Sequence, residues 1–161
     1  MTETTLKGKR IEELQEIKLV GFRVLCPGDQ YVSEIPKASN LLNNRLHELT
    51  HLKEPAIQIG AFVVENESDE EDGYWICVEV EEYGVIPEGM VSLTIPSQTY
   101  AVIRHCGTNF TIRDSYEELH QWIEENQHTR LTNKWHIEKF YSWSDLTEVD
   151  VELFDTIKPL K

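Results

Sequence analysis

The chain has 161 residues and a formal net charge of −14, from 15 lysines and arginines against 29 aspartates and glutamates. Its length suits one domain with a hydrophobic core. The excess of negative charge would repel a phosphate backbone, which argues against a nucleic-acid partner. No apolar run is long enough to span a bilayer, which argues against a membrane partner.

The cysteines indicate a reducing compartment. Cys26, Cys77 and Cys106 are odd in number, widely spaced and without a C-x-x-C motif. This pattern predicts reduced thiols on core strands and excludes a disulfide framework or a cysteine zinc site. The N-terminus also lacks the apolar segment of a signal peptide. We therefore expect a cytoplasmic protein.

The first half of the chain predicts a strand, a helix and a hairpin. Residues 11–25 are rich in branched apolar side chains and end in a turn, which is typical of a strand. Ser33 is the expected N-cap of a helix over about 34–51, whose apolar residues recur at helical spacing. Residues 57–64 and 74–80 are two further strands, joined by an acidic hairpin tip at 67–73.

The second half repeats this order after a connecting segment that Pro87 and Pro96 bracket. A strand at 100–106 precedes a helix that begins at a capping-box-like pair, Thr111 and Asp114. Strands at 134–141 and 149–154 follow, joined by a turn at 143–145. The order is β-α-β-β written twice, offset by roughly 75 to 80 residues. It predicts an α+β fold, with an antiparallel sheet and two helices around a central cleft, in one domain over 1–161 with halves at about 10–84 and 95–158.

A β-rich run over residues 135–141 has one carboxylate in its middle. Side chains alternate along a strand, so His136, Glu138 and Phe140 share one face, while Trp135 and its alternate neighbours share the other. A buried, ionised carboxylate needs a positive partner, and a cationic ligand can supply one. This run is the first candidate for a ligand site.

A competing motif is H-E-x-x-H at His47, Glu48 and His51, the two-histidine zinc signature of metalloproteases. On a helix the two histidines would face the same way, and Glu48 would serve as general base. The motif lies in the last predicted turn, where a helix frays, and no later segment supplies a third ligand. We therefore predict no metal and no other cofactor.

The second half also resembles a known family. Its pattern consists of Ile95-Pro-x-x-x-Tyr100-Ala101, Cys106-Gly107, a helix with Tyr116 and Trp122, Ile137-Glu138-Lys139-Phe140, and Ile157-Lys158. It resembles the GyrI-like small-molecule-binding family, which includes gyrase-inhibitory proteins and the effector-binding domains of AraC-type and MerR-type multidrug regulators. The resemblance implies two β-α-β-β modules around a cleft. It also implies that Glu138 is the central acid that faces cationic aromatic ligands. Phe140 departs from the family's usual Tyr and lacks its hydroxyl.

Three functions from different classes follow from the resemblance. The first is a stand-alone binding or sensor protein for a hydrophobic, cationic small molecule, because no helix-turn-helix precedes the first strand. The second is an acidic inhibitor of a protein partner, as some relatives inhibit gyrase. The third is a hydrolase of small molecules, which the missing hydroxyl at position 140 disfavours. No catalytic residue is assigned. The candidate ligand-binding residues are Glu138, Phe140, Trp75, Tyr100, Trp135 and His136.

Overall fold

The structure is a computed structural model that describes residues 8–65, 68–143 and 145–159. The first residue of the predicted hairpin tip and the middle residue of the predicted turn at 143–145 lie outside the described residues. The strands are β1 Lys9–Leu14, β2 Ile17–Val24, β3 Gln58–Val63, β4 Tyr74–Glu79, β5 Val91–Ile95, β6 Gln98–Gly107, β7 Trp135–Ser142 and β8 Val149–Ile157. The helices are α1 Tyr31–Asn44 and α2 Ile112–Glu125.

The described elements form one antiparallel sheet of eight strands with two helices, which confirms the predicted α+β fold. Each predicted β-α-β-β unit is present, and each is preceded by one more strand. The predicted first strand is two strands, β1 and β2, separated by Gln15 and Glu16. The segment between Pro87 and Pro96, predicted as a connection, contains the short strand β5.

The strand order shows the repeat as a pseudo-twofold arrangement. The order is β1-β6-β8-β7-β3-β4-β2-β5. If each strand is replaced by its equivalent in the other half (β1 by β5, β2 by β6, β3 by β7 and β4 by β8, and the converse), the same order results, read from the other end. Strands β3 and β7, one from each half, pair at the centre. Two-residue links join β1 to β2 and β5 to β6, although these strands are far apart in the order. Because so short a link spans only about 10 Å, the sheet must curl until its two ends meet.

The two faces of the curled sheet bury different cores. On one face, α1 covers a cluster that includes Val20 and Ile76, and α2 covers a cluster that includes Ile103 and Leu153. The opposite face encloses a third cluster, in which Trp75 and Tyr100 are buried. Glu138 lies on the helix-covered face, at the junction of the two halves.

Several local predictions need correction. Helix α1 ends at Asn44 and not near residue 51, and its N-cap residue is Gln30 rather than Ser33. Helix α2 begins at Ile112 after a 3₁₀ turn, and Thr111 makes no side-chain capping bond. Serine and asparagine side chains compete with helical hydrogen bonding, so the Asn43–Asn44 pair favours the early end of α1.

The cysteines differ in their surroundings. Cys77 on β4 is the predicted buried core thiol, whereas Cys26 lies beyond the end of β2 and Cys106 is exposed on β6. All three are free. The prediction of strand-borne core thiols is therefore wrong for Cys26 and Cys106. No helix within the described ranges has the length and apolar character needed to cross a bilayer.

Candidate ligand-binding site

A cavity of about 140 Å³ lies between the sheet and the two helices. Its walls come from the N-terminal part of α1, the start of α2, strands β3, β4, β7 and β8, and the loop between β7 and β8. Val32 and Leu146 are 64% and 42% exposed and mark the mouth. The lining is predominantly apolar and aromatic: Tyr31, Val32, Ile35, Pro36, Ser39, Gln58, Tyr74, Ile76, Asn109, Ile112, Glu138, Phe140, Trp143, Leu146 and Val149.

Glu138 is the acidic side chain of this lining, and two tyrosines hold it. The Tyr74 hydroxyl donates to Glu138 Oε1 at 2.6 Å, and the Tyr116 hydroxyl donates to Oε2 at 2.5 Å. Burial raises the pKa of Glu138, against the opposing effect of both hydrogen bonds and of the charge of His136. Burial and the neighbouring carboxylate raise the pKa of both tyrosines well above their usual value, so both remain protonated donors.

Gly60 makes room for the Tyr74 hydrogen bond. It lies directly opposite Glu138 in the central β3–β7 pair. A Cβ atom at position 60 would lie 1.7 Å from the Tyr74 hydroxyl oxygen and 2.4 Å from its Cζ. Strand β7 of one half thus supplies the carboxylate, and strand β3 of the other half supplies a residue without a side chain directly opposite it. The glycine allows a ring from β4 to reach across β3 to that carboxylate.

Asp155 on β8, a fully buried carboxylate on the same face, has basic partners of its own. Arg130 Nε lies 3.1 Å from Asp155 Oδ2, and His136 Nε2 lies 2.8 Å from Oδ1. His120 Nε2 lies 2.6 Å from Oδ2, within ion-pair distance but outside hydrogen-bond geometry. Burial alone would raise the pKa of Asp155, but the contacts with His120 and His136 and the charge of Arg130 hold it well below its usual range.

Glu138 has two neutral hydrogen-bond partners. Across the ranges that the structure describes, neither a lysine nor an arginine forms an ion pair with it, and its two bonded partners are neutral phenols. The same sheet face therefore holds one carboxylate that the protein neutralises and one that faces a cavity.

The family is shown by comparison with known proteins. Residues 10–154 match the model of Cass2, the integron-associated effector binding protein family. The chain belongs to the Cass2 family. This confirms the resemblance to effector-binding domains that the second half of the sequence indicates.

A curated relative of this Cass2-family chain is the transcriptional regulator BrlR of Pseudomonas aeruginosa. The two are 33% identical over 116 residues, which cover 71% of this chain and 41% of the regulator. The chain thus spans less than half the length of that relative.

Two solved structures share the fold. The crystal structure of the EcmrR C-terminal domain has a TM-score of 0.71 at 19% identity and covers 96% of this chain and 99% of that one. The structure of SAV2435 bound to tetraphenylphosphonium has a TM-score of 0.71 at 18% identity and covers 95% of each chain. At these identities the likeness concerns the fold.

The candidate residues of this Cass2-family chain fall into two groups. Glu138 and Phe140 line the cavity. His136 lies beside it on the same strand, 1% exposed, and is bonded to Asp155. Trp75, Tyr100 and Trp135 pack in or against the core on the opposite face, and the two tryptophan rings meet edge-on with centroids 5.0 Å apart. These three side chains do not meet Glu138.

Two residues that hold Glu138 escape the sequence argument. Tyr74 and Tyr116 supply the two hydroxyls at Glu138, although position 140 is Phe. Tyr116 lies on the apolar stripe of α2, and a buried phenol on such a stripe signals a buried hydrogen-bond partner. Tyr74 begins a strand that is buried almost continuously, so no alternation marks the face on which it lies.

The H-E-x-x-H segment does not have the helical geometry that a zinc site needs. His47 and Glu48 lie in a 3₁₀ turn at Leu46–Glu48, and His51 lies beyond it. Glu48 accepts two hydrogen bonds from Arg45, at 2.8 and 2.7 Å, and these lower its pKa. Within the described ranges, no group of three or more His, Cys, Asp or Glu side chains is arranged around a metal position.

Proposed function

We propose that this effector-binding chain takes up a hydrophobic small molecule with a positive charge, with Glu138 as the counter-charge. The cavity holds the apolar part of the ligand between α1, α2 and the sheet. The carboxylate on the sheet side of the cavity interacts with the charge.

The observation that carries the proposal is the contrast between Asp155 and Glu138, two carboxylates on the same face of the sheet. Asp155 meets Arg130 and two histidines, whereas Glu138 meets two neutral hydroxyls. Ionising a buried carboxylate without a cation is costly, and burial raises the pKa of Glu138 accordingly. A cationic ligand in the cavity would supply the missing partner and recover part of that cost.

Selectivity for cations over neutral molecules follows from the different contributions of the apolar walls and the carboxylate. Apolar walls contribute affinity for any molecule of the right shape. A carboxylate in a water-poor cavity adds a contribution for positive charge alone. The fold relative SAV2435, bound to tetraphenylphosphonium, shows a lipophilic cation associated with this architecture.

Choline and its neutral isostere 3,3-dimethyl-1-butanol test the proposal, because they differ in charge and hardly in shape. Titration calorimetry with the wild-type chain is expected to show tighter binding of choline. Glu138→Gln keeps the shape of the side chain but removes its charge, so choline should lose roughly 1–3 kcal/mol, while the alcohol hardly changes.

Glu13→Gln is the matched control, since it removes the same charge from an exposed position on β1. It should leave both affinities unchanged. Equal affinity of choline and the alcohol for the wild-type chain, or equal losses for both in Glu138→Gln, would make Glu138 a structural residue and reject the proposal.

A further inference from the structure

We propose that two copies of this chain associate through the outer edge of β5, with the two β5 strands paired antiparallel. Strand β5 ends the sheet and pairs with β2 alone, so its other edge is open. Three features of this edge point to a second copy: the direction of its backbone groups, its lack of charge, and its symmetry. The edge is separate from the cavity at the centre of the sheet, and association through it does not depend on the proposed function.

Ser92 and Thr94 direct their backbone N–H and C=O groups out of the sheet. The Lys18 carbonyl on β2 accepts a hydrogen bond from the Val80 N–H at 2.9 Å, on the side away from β5. Opposite residues of an antiparallel pair alternate between bonded and non-bonded, so Lys18 does not bond its partner Thr94. Two residues along β5, Ser92 faces outward for the same reason. Both residues are exposed, and within the described ranges nothing bonds to these four backbone groups.

The two edge strands of the sheet differ in charge. Strand β1 has the same place in its half as β5 has in the other, and four of its six residues are charged: Lys9, Arg10, Glu12 and Glu13. Charged side chains are a common means by which proteins prevent an edge strand from pairing with another chain. Strand β5 has the sequence Val-Ser-Leu-Thr-Ile, and residues 89–97 around it contain no charge. One edge is therefore protected, and its counterpart is left able to pair.

A second copy fits this edge because the outward groups are symmetric about Leu93. A two-fold axis beside Leu93 places Ser92 of each copy opposite Thr94 of the other copy. Both pairs then exchange N–H···O=C hydrogen bonds, which satisfies every outward backbone group of the two residues. The serine and threonine side chains also lie side by side, which is a favourable cross-strand pair. No like charges meet across this contact, although each copy carries a formal net charge of −14.

The contact is small, so self-association should be weak and reversible. Strand β5 has five residues, whereas stable interfaces bury at least roughly 1,000 Å². We expect a dissociation constant of roughly 0.1–1 mM, as measured by sedimentation equilibrium. The constant should fall as the salt concentration rises, because salt screens the repulsion between two acidic copies. Association that salt weakens would show that opposite charges join the copies, and would overturn the proposal.

Ser92→Pro tests the edge directly. Proline removes the outward N–H but no hydrogen bond between β5 and β2, and edge strands tolerate proline at such positions. The variant should weaken self-association at least roughly tenfold. A dissociation constant equal to that of the wild type would overturn the proposal.

Glu13→Pro is the matched control, on the edge of β1. The Thr156 carbonyl on β8 accepts from the Leu131 N–H at 2.8 Å, on the side away from β6. Its β6 partner Tyr100 therefore bonds to Glu12 on β1, which leaves the adjacent Glu13 facing outward. Glu13 is exposed. Proline there should leave self-association unchanged, and a loss equal to that of the β5 variant would count against a specific role for β5.

Amide hydrogen exchange tests the contact in the wild-type chain, without any substitution. The Ser92 and Thr94 amides should exchange about twofold more slowly at about 1 mM than at about 0.05 mM protein, because pairing protects them. The amides of Glu13 and of Leu93, which already bonds to β2, should not change. Association without protection of Ser92 and Thr94 would place the interface elsewhere and overturn the proposal. A chain that stays monomeric at about 1 mM would reject a second copy as the partner of this edge.

Discussion

At the scale of single residues, two carboxylates on the helix-covered face of the sheet, Asp155 and Glu138, have opposite surroundings. Asp155 is enclosed by Arg130, His120 and His136, and its pKa lies well below the usual range. Glu138 is enclosed by apolar groups and two phenols, and its pKa is raised. A lowered pKa means that the folded state favours the charge, whereas a raised pKa means that the folded state resists it. Folding therefore favours the charged form of Asp155 and the protonated form of Glu138, and in the proposed function a cationic ligand would supply the partner that Glu138 lacks.

The raised pKa of Glu138 predicts a pH-dependent stability. The folded chain keeps the Glu138 proton to a higher pH than the unfolded chain, whose carboxyl titrates near the ordinary value of 4.5. The free energy of unfolding of the wild type should therefore fall, relative to that of Glu138→Gln, as the pH rises above this value through the folded pKa. Urea unfolding of both proteins at a series of pH values measures the difference. A difference that stays constant or shrinks with rising pH would contradict the prediction.

Asp155→Asn should be strongly destabilising at neutral pH. It removes the charge that Arg130 and the histidines face, and breaking a buried ion pair from one side costs about 3–5 kcal/mol. Because the pKa of Asp155 is lowered, its contribution is present above the unfolded value of 3.8 and is lost as the pH falls towards the folded pKa. Urea unfolding at pH 7 gives the loss.

Asp150→Asn, on the same strand, is the control for this prediction. Asp150 pairs with Arg104 on the partly exposed face, where an ion pair contributes about 0–1 kcal/mol. Similar losses in the two variants would show that the Asp155 cluster is no stronger than a surface pair.

Strand alternation predicts part of this site from the sequence. It places His136, Glu138 and Phe140 on one face and Trp135 on the other, and the structure has them so. Alternation cannot tell which residues of distant strands share that face, so the sequence places Trp75 and Tyr100 with Glu138, although they pack on the opposite face of the sheet. The three-dimensional register of β3, β4 and β6 decides this, and no local pattern encodes it.

At the scale of elements, the central β3–β7 pair determines how Glu138 is held. Gly60 on β3 leaves the space through which Tyr74 reaches the carboxylate. Gly60→Ala should push the Tyr74 ring away, break its hydrogen bond to Glu138 and lower the free energy of unfolding by about 1–3 kcal/mol, the usual cost of overpacking. Choline affinity should fall with it. Unfolding experiments and calorimetry measure the two effects.

Gly28→Ala is the matched control, because a Cβ at position 28 would meet no atom within 4 Å. It should change neither quantity. If Gly60→Ala also leaves stability and choline affinity unchanged, Tyr74 does not hold Glu138 in the way that the structure indicates.

The early end of α1 argues against zinc binding by the H-E-x-x-H segment. Since the helix stops at Asn44, His47 and His51 do not lie one turn apart on a helix. We expect no stoichiometric zinc after mild dialysis of the purified protein, as measured by elemental analysis. About one zinc per chain that disappears in His47→Ala would contradict this expectation.

The elements that the sequence argument missed had recognisable signals. Residues 91–95 alternate between apolar and polar side chains, the pattern of a half-buried strand, and β5 shows this alternation in its burial. The flanking prolines obscured it. The break between β1 and β2 lacks a glycine or proline, and the polar pair Gln15–Glu16 is its sole mark.

At the scale of the whole molecule, the repeat of strands and helices was predictable because each half carries its own periodicity and turns. The strand order was not, because it depends on the exchange of β1 and β5 between the halves. That exchange curls the sheet, and the pairing of β3 with β7 brings the two halves together beside Glu138. This arrangement produces the predicted central cleft, and the residues that face the helices form its lining.

A cation that binds beside Glu138 can be located directly by its own scattering. Crystals of the protein soaked with tetramethylarsonium would show arsenic in an anomalous difference map. We expect one strong peak inside the cavity, beside the Glu138 carboxylate and between the rings of Phe140 and Tyr74, and no such peak in crystals of Glu138→Gln. A peak that stays in the cavity of the Glu138→Gln variant, or an empty cavity in the wild type with arsenic bound elsewhere, would contradict this expectation.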